Sequence, residues 1–226
     1  MSGAAVIIPA AGTGTRFGGD LPKQFRELGG KPILQHVIER FLLDERVGQV
    51  IVAVAEPLLA VVRQGSSDRV HFVAGGPSRL QSVTRGLQAV REECEIVAVH
   101  DAVRPFFTNA TFHALLDAAA ASGASFPGLP VTDTIHIVDD DSRIVATPQR
   151  RMLFAAQTPQ CFRTVILRDV LALAAQGGDD ATDEAGLAAK YGYPVVLVAG
   201  DPTNFKITRP EDLIVAERMY QRWSAE

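Results

Sequence analysis

Ala5-Val-Ile-Ile8, followed by Pro9-Ala-Ala-Gly-Thr-Gly-Thr-Arg-Phe-Gly-Gly-Asp-Leu-Pro-Lys-Gln-Phe25, decides how this chain is read. The first four residues are apolar and largely β-branched, the pattern of a short buried strand, and Pro9 is expected to stop it. A glycine-rich stretch then runs from Ala10 to Gly30 without helical spacing. That is longer than an ordinary strand-to-helix connection, which marks it as functional. Small residues at Ala10, Ala11, Gly12 and Gly14 let backbone N–H groups approach an anion closely, and Arg16 and Lys23 bring two cations to the same loop. The glycines at 12, 14 and 18 do not fit G-x-G-x-x-G, and no P-loop pattern exists, so both of those nucleotide motifs are disfavoured. The carboxyl end of a buried parallel strand is where open α/β sheets bind ligands.

Outward from that loop, apolar runs alternate with helical patterns. Pro32 stands at a first-turn position, and Ile33, Leu34, Val37, Ile38, Phe41 and Leu42 recur with helical spacing. Gln49 to Ala55 is apolar on both faces, as expected of a parallel strand covered by helices on each side. Val70–Ala74, Ile96–Val99 and Val195–Ala199 read as further strands. Ser78 with Gln81 forms a capping box for a helix striped by Leu80, Val83, Leu87 and Val90. Phe112, Leu115, Leu116 and Ala119 mark another helix, and Thr208 with Glu211 caps a terminal one running towards Trp223. One segment breaks the alternation: Thr134–Val138, a polar Asp139–Ser142 turn, and Arg143–Thr147 read as a hairpin. Such a ribbon is marginal alone in water. It is either an arm that packs on another subunit or an antiparallel edge of the main sheet.

The 226 residues carry 22 Lys+Arg against 26 Asp+Glu, a net charge of −4, with 47% hydrophobic residues. This is ordinary globular composition for one α/β domain over 1–226, and the acidic balance argues against a nucleic-acid partner. Cys94 and Cys161 are far apart and outside any CxxC, so no disulfide framework or zinc site is expected. The amino terminus lacks a basic region and a long apolar run, so no signal peptide or membrane span is expected and the expected location is cytoplasmic. No Ser/His/Asp or Cys/His constellation stands out. His100 is read as a hydrogen-bonded structural residue at a strand end. Thr182-Asp-Glu184 is read as a helix cap with acids in the first turn, outside the site.

Taken in order, PAAGTGTRFGGDLPKQF (9–25), GGPSRLQSV (75–83), VHDAVRPF (99–106), PVTDTI (130–135), the basic stretch ending in QTPQ (150–160), TDEA (182–185) and NFKITRPEDL (204–213) closely resemble the 2-C-methyl-D-erythritol 4-phosphate cytidylyltransferases of non-mevalonate isoprenoid synthesis. The resemblance implies a doubly wound, mostly parallel, Rossmann-like nucleotidyltransferase sheet. It also implies a homodimer clasped through a β-arm at about 132–150. The implied reaction transfers CMP from CTP to 2-C-methyl-D-erythritol 4-phosphate, releasing pyrophosphate, with Mg²⁺. The attacking phosphate oxygen is already anionic, so no general base is needed; positioning and charge neutralisation are.

Carried onto this sequence, the resemblance makes Arg16 and Lys23 the pair that holds the triphosphate and stabilises the transition state. Lys206 and Arg150 orient the attacking phosphate, Arg150 from the partner's arm; counting back from Thr158-Pro159-Gln160 favours Arg150 over Arg151. Asp101 serves the nucleotide phosphates and Mg²⁺, directly or through water. Arg104 and Thr134 contact the polyol phosphate. Ala10, Ala11, Gly12 and Gly14 cradle the nucleotide, and Gly76 and Ser82 meet cytosine and ribose, with helix capping as the plain alternative for Ser82. Pro77 departs from the polar residue many members carry, which leaves a backbone reading of cytosine at Gly76. Ribitol 5-phosphate cytidylyltransferase is the nearest rival; the Pro9-Ala-Ala-Gly start and Thr182-Asp-Glu-Ala favour methylerythritol phosphate. A non-catalytic nucleotide-binding module is the other class, against which the intact Arg16, Lys23, Arg150 and Lys206 argue.

Overall fold

The computed structural model describes residues 3–12, 17, 21–179 and 182–223. In chain order the elements are β1 (Ala4–Ala10), a small hairpin of β2 (Glu27–Leu28) and β3 (Lys31–Pro32), α1 (Ile33–Leu42), β4 (Val47–Val54), α2 (Glu56–Val62), β5 (Val70–Ala74), α3 (Arg79–Gln88), β6 (Ile96–Val99) and α4 (Asn109–Ser122). They continue with β7 (Ala124–Pro130), β8 (Ile137–Val138), β9 (Ile144–Ala146), β10 (Phe154–Ala156), β11 (Gln160–Arg163), α5 (Thr164–Gly177), α6 (Glu184–Lys190), β12 (Val196–Ala199) and α7 (Pro210–Trp223).

Eight strands form one mixed, mostly parallel sheet. β1 is central, parallel to β4 on one side and β6 on the other, and β5 extends the β4 side. β11 runs antiparallel between β6 and β7. β10 continues it along β7 in nearly the same register, and β12 lies parallel to β7 on its other side. The chain therefore winds one way from β1 and then returns to β6 across it. This creates a switch point between the carboxyl ends of β1 and β6, where the two following loops diverge.

Alternation along β1 sorts the core into two layers. Val6 and Ile8 join Leu34, Val37 and Phe41 of α1 and Phe112 and Leu115 of α4. Ala5 and Ile7 join Val83 and Leu87 of α3 and Leu167 and Val170 of α5. Both faces are fully covered, which is why Gln49–Ala55 reads as almost unbroken apolar sequence. A third cluster (Leu28, Ile33, Phe106, Ile207 and Ala216) seats α7 beside the β2–β3 hairpin.

Several local expectations are corrected. Pro9 does not stop β1, which runs to Ala10. Pro9 has the parity of Ile7, whose carbonyl accepts from the His100 N–H, so its missing N–H faces the side where β6 has already ended. Pro32 is the last residue of β3 and the residue just before α1 rather than a first-turn residue. The Ala10–Gly30 stretch is not structureless: it holds a 3₁₀ turn (Lys23–Phe25) and the β2–β3 hairpin. Gly29 turns that hairpin at φ 59°, and the Tyr220 ring of α7 occupies the place a Cβ would take. At α7 the cap is Asp212, not Glu211: its Oδ2 accepts from the N–H groups of Thr208 and Arg209 and from the Thr208 hydroxyl. Pro210 opens the helix and moves the cap one residue on. β12 begins at Val196, one residue later than expected.

The predicted hairpin forms as β8 and β9, a separate two-stranded sheet that adds no strand to the main one. Its Ile137, Val138, Ile144 and Val145 are half or more exposed. Among the described residues no helix is long and apolar enough to cross a membrane.

Candidate active site

A cavity of about 200 Å³ opens at the switch point. One wall is the end of β1 and the loop after it (Pro9 to Gly12), and the second is the turn from β5 into α3 (Gly76 to Ser82). The third brings Asp101 to Val103 from the end of β6 together with Lys23 and Lys206. Of the residues expected in a nucleotide site, Ala10, Ala11, Gly12, Lys23, Gly76, Ser82, Asp101 and Lys206 all line it. Arg16 and Gly14 lie outside the described residues.

Each wall has a local cause. The buried Gln24 amide donates to the carbonyls of Ala10 and Gly12 at 2.7 and 2.9 Å, which ties the start of the long loop to the 3₁₀ turn that carries Lys23. Ser78 caps α3 by accepting from the Gln81 N–H, as predicted. The Ser82 hydroxyl accepts from the Gly76 N–H at 3.1 Å and donates to the Ser78 carbonyl at 2.9 Å. Ser82 thus both lines the cavity and shapes the Gly76 turn. A Cβ on Gly76 would fall 2.4 Å from that of Gln81, so only glycine lets this backbone pass.

Asp101 is the electrostatic centre. Its Oδ2 lies 3.0 Å from both Arg104 Nε and Lys206 Nζ, and its Oδ1 lies 3.7 Å from Arg79 Nε. Burial alone would raise its carboxyl. The charges of Lys206, Arg104 and Arg79, with the Arg104 hydrogen bond, outweigh burial and hold it well below the usual carboxylate range. His100, fully buried beside it, is pushed down to about 4, chiefly by burial. Its Nδ1 accepts from the Thr158 hydroxyl and its Nε2–H donates to the Arg104 carbonyl, so it is a neutral structural residue. The Thr158 hydroxyl in turn accepts from the Asp101 N–H.

Lys206 owes its place to the QTPQ segment. Gln157 donates to the carbonyls of Asp201 and Asn204, and the Asn204 amide donates to the Thr158 carbonyl at 2.8 Å. Arg104 adds a bond to the Asn204 carbonyl at 2.9 Å. Its guanidinium is thus spent on Asp101 and on the Lys206 loop, and Arg104 does not line the cavity. Gln24, Gln157, Thr158 and Asn204 were not named as site residues in the sequence; Gln24 and Asn204 stand beside Lys23 and Lys206 in their motifs, and Gln157 and Thr158 belong to the QTPQ motif.

Arg79 and Glu184 were also missed. Arg79 lines the cavity, and its Nη1 meets Glu184 Oε1 at 2.5 Å. Burial raises the Glu184 carboxyl and the Arg79 charge opposes it. Asp183 caps α6 by accepting from the Gly186 N–H, as the sequence reading expected. Thr134 and Arg150 stand apart from all of this. Both are exposed, Arg150 donates to the Thr132 carbonyl at 2.7 Å, and neither lines the cavity. The neighbouring Arg151 is folded onto Gln149.

Residues 4–222 match the family model of 2-C-methyl-D-erythritol 4-phosphate cytidylyltransferase. The chain belongs to this family. It is 43% identical over 224 residues to the 2-C-methyl-D-erythritol 4-phosphate cytidylyltransferase of Frankia casuarinae, covering 96% of this chain and 81% of that protein. It is 44% identical over 225 residues to that of Acidobacterium capsulatum, covering 93% and 94%. The crystal structure of the Thermus thermophilus enzyme superposes with a TM-score of 0.79 at 35% identity, covering 97% of this chain and 99% of that one. As a member of the cytidylyltransferase family, the chain is a nucleotidyltransferase of isoprenoid synthesis acting on CTP and methylerythritol phosphate, and ribitol phosphate is not favoured as its acceptor.

The family resemblance also implied Mg²⁺. Among the described residues no group of three or more His, Cys, Asp or Glu side chains is arranged to hold a metal. Mg²⁺ needs only one or two carboxylates when phosphate oxygens and water complete its shell. Asp101 is an ionised carboxylate inside the cavity, and among the described residues the ion pair on its Oδ1 is that with Arg79 at 3.7 Å, so the donor fits. The three cations around it disfavour a bare metal ion and favour one that arrives with the triphosphate.

Proposed function

We propose that CTP occupies the cavity with its triphosphate over the Ala10–Gly12 amides and Lys23, and with cytosine read by the Gly76 backbone. Methylerythritol phosphate then enters from the Lys206 side. Lys23 and Arg16 neutralise charge on the α-phosphorus as the acceptor oxygen attacks in line; Lys206 and Arg150 hold the attacking phosphate. Asp101 would hold Mg²⁺, directly or through water, and the ion would supply further neutralisation of the triphosphate. Arg104 acts from behind, fixing Asp101 and Lys206, and Thr134 joins Arg150 at the acceptor phosphate.

The observation that carries this reading is the convergence of Lys23, Lys206 and Asp101 on one cavity at the switch point; among the described residues the neighbouring His100 is neutral and fully engaged, so it is not available as a general base. A site of fixed charges fits a reaction whose nucleophile is already anionic.

The acceptor half is completed by a second copy of the chain. We place Thr134 and Arg150 on an arm of about 132–150, inserted in a single cytidylyltransferase domain, that reaches into the partner's site. Support comes from the exposed apolar residues on β8–β9 and on the outer strands β10 and β12: Ile144 is 60% exposed, Ile137 50% and Phe154 40%. A soluble, cytoplasmic homodimer is the expected working form.

Purified protein given CTP, Mg²⁺ and methylerythritol phosphate should release pyrophosphate, and ribitol 5-phosphate should react far more slowly. Comparable rates would contradict the acceptor assignment, and no pyrophosphate from either would contradict the reaction.

A further inference from the structure

The Arg79–Glu184 pair joins the first turn of α3 to the first residue of α6, 105 positions later. The Glu184 side chain is only 1% exposed, while that of Arg79 is 26% exposed and lines the cavity. Glu184 is itself held from below. Gln160, on β11, donates to Asp183 Oδ2 and accepts from the Ala185 N–H, both at 2.8 Å, so the residues on each side of Glu184 are held by one side chain.

An ion pair at this depth is a poor way to stabilise a fold, because an apolar pair of the same volume would do as well or better without the cost of desolvating two charges. Its effect lies in geometry. Arg79 has a long, rotamer-rich side chain and a second carboxylate in reach, that of Asp101. Bound to Glu184 through Nη1, it stands 3.7 Å from Asp101 Oδ1, short of a hydrogen bond.

We propose that Glu184 is a positioning residue for the nucleotide side of the cavity: its buried ion pair fixes the Arg79 guanidinium in the wall beside Gly76 and keeps it from closing onto Asp101. The inference rests on the assignment of this wall to CTP. Held there, Arg79 presents a fixed positive charge to the nucleotide and leaves Asp101 Oδ1 open to the ligand. Without Glu184 the guanidinium would fall onto Asp101, covering the carboxylate and vacating the wall.

The test is steady-state kinetics on Glu184→Gln, Arg79→Gln and the double variant, varying CTP and methylerythritol phosphate separately. The double variant leaves no buried charge unpaired and keeps the test open if the single Glu184 variant folds poorly. Glu184→Gln should raise KM for CTP about tenfold while KM for the acceptor moves less than about twofold. Added to Arg79→Gln, it should have no further effect on KM for CTP. Equal changes in both KM values, or a full further rise in the double variant, would overturn the positioning role. If Arg79→Gln raises KM for CTP and Glu184→Gln does not, the positioning role alone fails. If Arg79→Gln leaves KM for CTP unchanged, the assignment of the wall fails with it.

Discussion

The cavity wall and the β8–β9 hairpin contrast in how their polar side chains are held. In and just behind the wall, Gln24, Ser82, His100 and Asn204 are buried with their side chains hydrogen-bonded to neighbouring backbone, and the buried Asp101 carboxylate is held by Arg104 and Lys206. Flanking the hairpin, Thr134 and Arg150 are exposed, and apolar residues of the hairpin itself face outward. The wall is preorganised within one chain, whereas the hairpin would acquire its surroundings only in the proposed dimer. A reaction that joins two anions needs rigid cations in place beforehand, and in the proposed reading the wall would supply them for the nucleotide.

The contrast sharpens into measurable differences. The largest expected effect is at Lys23. Lys23→Ala should lower kcat by roughly 10²–10³ without loss of folding, as for removal of one preorganised charge-stabilising contact. Pre-steady-state pyrophosphate release alongside circular dichroism checks both parts, and a fully active variant would remove Lys23 from the chemistry.

Next comes acid sensitivity of the buried wall. His100 stays neutral down to about pH 4 when folded but takes up a proton near its ordinary value of 6.5 when unfolded. Its contribution is therefore complete above pH 6.5 and is lost as pH falls towards 4, by roughly 3 kcal/mol. Urea unfolding across that window should show the slope, and His100→Gln should flatten it. Asp101 acts in a lower window: its depressed carboxyl contributes fully above its ordinary value of 3.8 and loses that contribution as pH falls further.

On the hairpin the expected effects are kinetic and assembly-dependent. Arg150→Ala should reduce kcat/KM for the acceptor by roughly 10–100-fold, the range of a charge-assisted hydrogen bond, with stability unchanged. Deleting residues 136–145 should shift sedimentation from dimer to monomer, and an unaffected dimer would refute the arm. The smallest effect returns to the wall. Ser78→Ala, which removes the α3 cap, should cost about 1 kcal/mol in urea unfolding.

What was legible in the sequence follows the same divide. Short β-branched and apolar runs announce strands, so Val70–Ala74, partly buried at the sheet edge, and the buried Ile96–Val99 match the observed β5 and β6. Caps with a local partner, Ser78 and Asp183, were legible for the same reason. Long-range partners were not: nothing in local pattern couples Arg79 to Glu184, Gln157 to Asn204, or Gln24 to the Ala10 carbonyl. Pro9 misled because its effect depends on which neighbouring strand faces its nitrogen, a property of the sheet and not of the segment. At α7, Pro210 displaced the cap to Asp212.

The proposed division of labour between chains is tested most directly by mixing two impaired variants at acceptor concentrations well below KM. Lys23→Ala damages the wall and Arg150→Ala damages the arm, so a mixed dimer whose arms reach across holds one intact site and one doubly impaired site. After subunit exchange, an equal mixture should recover about a quarter of wild-type activity. No recovery from variants shown to have exchanged would place Arg150 in its own chain's site and contradict the shared construction.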